Sequence, residues 1–147
     1  MLSRVKTASL TLLLAMSTSA SFAADLSLVR SFEMPGPSGL AYDGLFCGLW
    51  VVNETRNVVL INLHGHEIRR FEAELGRVDA IAIEGNALLL SDGNGTYQKV
   101  DREGTALTQP YRLSSVLLDT DGLYFDDQTS DYWVADDTMS QLLRVRA

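Results

Sequence analysis

"DAIAIEGNALLLSDGNGTYQKVDREGTALTQPYRL", residues 79–113, alternates short apolar runs with turn residues. Ile81–Ile83, Leu88–Leu90, Tyr97–Asp101 and Ala106–Tyr111 read as four strands, separated by clusters of Gly, Asn and Asp. No stretch sustains a 3.6-residue apolar period, so the pattern is all-β. The same succession occurs on both sides of it. Upstream, Leu40–Tyr42, Leu49–Val52, Val58–Asn62 and Ile68–Phe71 repeat the four strands. Downstream, Leu123–Phe125, Tyr132–Ala135 and Gln141–Val145 repeat the first three. The units open at Gly39, Ala80 and Gly122, which lie 41 and 42 residues apart. Four antiparallel strands per roughly 40 residues is the period of a β-propeller blade.

The third unit lacks a fourth strand, and a match for it stands near the other end of the chain. In "LSLVRSFEMPGP", Val29, Arg30 and Phe32 align with Ile68, Arg69 and Phe71. The strand order is therefore d-abcd-abcd-abc, three four-stranded blades. Closed propeller rings have four or more blades. The simplest closure is a head-to-tail homodimer of six blades, in which residues 26–33 of one chain pair with residues 141–146 of the other. Left unpaired, "SQLLRVRA" (residues 140–147) would present a bare strand edge. A truncated remnant of a longer propeller is the alternative.

Composition narrows the class. "MLSRVKTASLTLLLAMSTSASFA" has Arg4 and Lys6, an apolar run from Leu10 to Met16, and small residues at Ser21 and Ala23. It reads as a signal peptide (residues 1–23) cleaved near Ala23, leaving a propeller domain over residues 24–147. The apolar run is well short of the ~20 residues that span a bilayer, so no membrane span is expected in the mature chain. Removing the two signal cations takes the net charge from −7 to −9. An acidic chain has no basic patch to meet phosphates, which excludes nucleic acid as an expected partner. Cys47 is the single cysteine, so no intramolecular disulfide forms, and its apolar surroundings suggest a buried thiol. The expected location is the periplasm or the exterior.

"GLAYDG…LWVVNETRNVVLINLHGHEIRRF" (residues 39–71) resembles the NHL and gluconolactonase-like propellers, and the bacterial SdiA-regulated periplasmic proteins in particular. The likeness lies in the "GLAYD" strand, the "LWVVNE" strand, the "NVV" entry to the third strand and the fourth strand after "HGHE". The resemblance implies the fold far more than an activity, because propellers host many unrelated functions.

In such propellers the loops entering the first strand and joining the second to the third surround one mouth of the channel. Six polar residues then converge there: Ser38, Asp79 and Asp121 before first strands, and Asn53, Asp92 and Asp136 after second strands. Their oxygens suit a hard cation such as Ca²⁺. The resemblance implies a divalent metal near this mouth, with Asp79 and Asp121 where gluconolactonase-like enzymes carry a Glu. Turn carboxylates also cap nearby backbone N–H groups, which explains the same residues without a ligand. The leading expectation is a ligand- or protein-binding module with an acidic channel mouth and no catalysis of its own. The alternative is a metal-dependent lactonase- or phosphoesterase-like hydrolase using Asn53, Asp79, Asp121 and Asp136. His64 and His66 fall in a hairpin away from that mouth and read as a solvated turn. Trp50 and Trp133 share one position in their repeats and read as packing residues.

Overall fold

The structure is a computed structural model that describes residues 27–112 and 119–147. The expected signal peptide and residues 24–26 lie outside the described residues. Among the described residues, ten strands form three antiparallel sheets. The first sheet, in the order β1-β2-β3-β4, comprises β1 (Gly39–Asp43), β2 (Gly48–Val52), β3 (Asn57–Asn62) and β4 (Glu67–Glu72). The second holds β5 (Ala80–Glu84), β6 (Ala87–Ser91) and β7 (Tyr97–Asp101). The third holds β8 (Gly122–Asp126), β9 (Asp131–Asp136) and β10 (Gln141–Arg146). Registers agree across the repeats: Gly39 faces Val52, Ala80 faces Ser91, and Gly122 faces Ala135. First strands lie side by side, β1 against β5 and β5 against β8. Between them Leu40, Tyr42, Ile83, Tyr124 and Phe125 help line a cleft of about 320 Å³.

The sheets stack through alternating side chains, because successive residues of a strand point to opposite faces. From the first sheet Trp50, Val52, Val58 and Leu60 pack onto Ile81, Leu88, Leu90 and Val100 of the second. On the second sheet's other face, Leu89 and Tyr97 pack onto Tyr132 and Val134 of the third. Ala73, Leu75 and Val78, in the link from β4 to β5, close the first of these cores.

Two expected fourth strands are not regular strands. Residues 106–111 pair with β7 as two isolated bridges, Val100–Ala106 and Tyr97–Tyr111, rather than as a continuous ladder. The spacing between those bridges is two residues longer on the outer segment than on β7, so the ladder bulges. The Thr108 hydroxyl there accepts the Lys99 N–H, and the Gln98 amide donates to the Thr108 carbonyl. Pro110, which has no N–H to give, stands just before the second bridge. Residues 27–34 also form no strand. The expected pairing placed their ladder partner on β10 of a second copy, and among the described residues they have no ladder to join. Four-stranded blades thus describe only the first sheet. Cys47 is exposed rather than buried, since it ends the β1–β2 turn with a left-handed φ of 47° while Phe46 packs inward.

One buried ion pair ties the first two sheets. Asp43, at the end of β1, receives the Trp50 indole N–H at 2.9 Å and the Arg102 guanidinium at 2.7 Å. Arg102 follows β7 and also donates to the Gly85 carbonyl. Burial opposes ionisation of Asp43, but hydrogen bonds from Arg102, Trp50 and the Leu45 N–H, with the Arg102 charge, outweigh it and hold the carboxyl below its usual pKa. Arg102→Met is expected to lower the free energy of unfolding in urea by about 3–5 kcal/mol, since it strands a buried carboxylate. The depressed pKa means that Asp43 contributes stability above the ordinary carboxylate pKa and loses it as pH falls through the depressed value. The stability of Asp43→Asn is accordingly expected to vary less with pH across that acid range.

Candidate functional site

The six residues singled out in the sequence come together in pairs on one end of the sheets. The backbone N–H groups of Ser38, Asp79 and Asp121 donate to the carbonyls of Val52, Ser91 and Ala135 at 2.9, 2.8 and 3.1 Å. Each bond extends its β ladder by one step and sets Ser38 beside Asn53, Asp79 beside Asp92, and Asp121 beside Asp136. Neighbouring sheets are latched at the same end. Val78 exchanges backbone bonds with Glu54 and Thr55, and the Thr120 N–H donates to the Gly93 carbonyl.

Several of the six are occupied in holding turns. Asn53 donates to the Pro35 carbonyl and accepts the Thr55 hydroxyl. Asp92 Oδ1 accepts the N–H groups of Asn94 and Thr96. Asp136 is buried and accepts the Met139 N–H at 2.8 Å. Ser38 donates its hydroxyl to the Val52 carbonyl.

Asp79 and Asp121 have different surroundings. Asp79 is buried, with Oδ2 on Arg77 at 2.5 Å and Oδ1 lacking a hydrogen-bond partner. Burial raises its pKa; Arg77 pulls it back, while the Glu54 and Asp92 charges push it up again. Gly93 lies so close that a Cβ there would run into the Asp79 carboxylate, and its φ of +76° suits only glycine well. Asp121 is exposed, and its carboxylate lies with those of Asp119 and Asp137, one oxygen from each falling within 4.8 Å of the others. Its pKa is raised by partial desolvation and then by the Asp119 and Asp137 charges. The structure therefore groups Asp121 with Asp119 and Asp137, and pairs Asp79 with Arg77.

Arg77, Glu54, Asp119 and Asp137 were not singled out in the sequence. Arg77 and Glu54 stand within two residues of positions that were, yet nothing in a linear pattern says which neighbouring side chain reaches the Asp79 carboxylate. His64 and His66 stand at the opposite end of the first sheet, exposed, with both N–H groups capped by Asn62 Oδ1.

No model of a protein family and no curated protein matches the sequence. Solved structures do match. The structure of U3-55K superposes with a TM-score of 0.55 at 12% identity, over 85% of this chain and 43% of that one. The nidogen/laminin complex gives 0.57 at 18% identity, over 74% and 42%. The RRP9 WD40 repeats give 0.56 at 10% identity, over 80% and 40%. The chain spans about two-fifths of the length of these structures. With the three sheets and their shared register, the likeness defines a β-propeller-type repeat fold.

The raised pKa of Asp121 has a sign that can be tested. Its charged form costs the folded state, so stability falls as pH rises from the ordinary carboxylate pKa through the raised one. With a chelator present at pH 7 and low salt, Asp121→Asn is expected to melt above the wild type. The gap should narrow in about 1 M salt, where exposed charges are screened.

Proposed function

We propose that this chain is an exported binding module of the propeller type, related to the NHL and SdiA-regulated periplasmic proteins, that takes a cationic ligand on its acidic rim. One observation carries the reading: the loops before β5 and β8 and after β2, β6 and β9, with the last residue of β9, bring Glu54, Asp79, Asp92, Asp119, Asp121, Asp136 and Asp137 to one end of the sheets, with Arg77 paired to Asp79. Their field favours a positively charged group and opposes nucleic acid.

A hard cation fits part of this rim. Three carboxylate oxygens within 4.8 Å of one another can reach one Ca²⁺ at its usual ~2.3–2.6 Å bond length. Asp119, Asp121 and Asp137 would hold the ion; Asp79, committed to Arg77, would not. A bound divalent cation would supply Lewis acidity, and this donor set favours the hydrolase as the second reading.

Titration calorimetry with CaCl₂, and separately with oligolysine, tests the proposal. Salt-sensitive binding is expected, for Ca²⁺ with a dissociation constant of about 10⁻⁴–10⁻³ M. Asp121→Asn should weaken Ca²⁺ binding at least about tenfold, a loss of about 1.4 kcal/mol, while Asp79→Asn leaves it in place. Absence of heat with both ligands refutes the acidic-rim reading. Ca²⁺-dependent turnover of a lactone or phosphoester would favour the hydrolase instead.

A further inference from the structure

We propose that a second copy of this chain docks head to tail on the first, seating the outer face of the third sheet on the outer face of the first sheet of its partner and closing a six-bladed ring. The surface is separate from the acidic rim, and nothing in the inference depends on what the rim binds.

The two outer faces are the repeats of faces that already meet inside the chain. Val58 on β3 is fully buried against the second sheet; its counterpart on β10, Leu142, is 68% exposed. Trp50 is fully buried against that sheet, whereas its counterpart Trp133 is half-buried beneath the Arg144 guanidinium. At the other end, Ile81 of β5 is 2% exposed under the first sheet, and its counterpart Leu40 of β1 is 67% exposed. The same side-chain pattern is thus covered where a neighbouring sheet lies against it and open where no described sheet does. Each open face carries the half that the other open face lacks.

The segment before β1 says what belongs there. The Phe71 ring of β4 lies over Gly104, in the turn after β7 of the next sheet. The Phe32 ring lies over Gly65, in the equivalent turn after β3. The Gly65 turn is built like the Gly104 turn: Asn62 caps the N–H groups of His64 and His66, as Asp101 caps those of Glu103 and Thr105. Met34 then covers Val51, Val59 and Ile61, as Ala73 and Leu75 cover the second sheet. Phe32 therefore occupies, relative to the first sheet, the place of a fourth-strand residue from a preceding sheet. Within the chain a fourth-strand Phe71 packs on Trp50 at 5.7 Å between ring centroids. In the assembly Phe32 of one copy takes that role against Trp133 of the other, and residues 27–32 pair with the free edge of β10.

Sedimentation equilibrium of the chain at about 10 μM, with far-UV circular dichroism, tests this. The expected mass is twice that of one copy. Leu142→Glu, on one open face, and Tyr42→Glu, on the other, alter side chains exposed in the single chain. Each is expected to halve the mass while leaving the β signal unchanged, and Trp133 emission should shift to the red as the ring opens. A wild type with the mass of one chain, a ladder of larger polymers, or a doubled mass that survives both substitutions would overturn the proposal.

Discussion

A small antiparallel sheet whose two faces are both apolar cannot rest in water on either side, and this constraint organises the whole molecule. The second sheet satisfies it by stacking on a neighbour at each face, so that Trp50, Leu60, Leu88 and Leu90 share one core and Leu89, Tyr97, Tyr132 and Val134 share the next. Stacking of this kind is one-dimensional: each sheet completes the one before it and leaves its own far face to the one after. Leu40 and Leu142 mark the two places where that chain of debts is still open.

Polar groups set into these apolar stacks make each contact specific. The last residue of each first strand is acidic: Asp43, Glu84 and Asp126. Asp43 takes Trp50 and Arg102. Glu84 takes Lys99 from its own sheet, at 2.5 Å, and the Tyr132 hydroxyl from the next. Burial and the Glu84 carboxylate raise the Tyr132 pKa, which keeps that hydroxyl a donor. Asp126, with no described sheet beyond it, turns to its own hairpin and accepts from Gln128 and Thr129. The same position is charged in every repeat, but its partner depends on which sheet follows.

The rim follows from the same repetition. Backbone bonds from Ser38, Asp79 and Asp121 to the ends of the second strands are alike in all three sheets, so polar loop residues recur at one end of the fold. Side-chain chemistry then differs from loop to loop. Asp79 is drawn inward to Arg77 under Gly93, while Asp121 stays exposed among like charges.

The repeat was legible because strand period and turn chemistry are local. Alternating apolar residues and Gly, Asn and Asp at the reversals placed the first three strands of every sheet within a residue or so of where they stand. The irregular 106–111 segment was less legible, because its bulge depends on Thr108 and Gln98 replacing ladder bonds across space. Cys47 was misread because an apolar run around a turn looks the same as a buried strand until the turn's left-handed φ is known. By itself, then, the sequence determined the number and order of the repeats and the end of the sheets on which polar loops gather. Only the tertiary structure decided which carboxylates share a site and which are tied up in ion pairs, since those distances are set by how one sheet lies on the next rather than by any spacing along the chain.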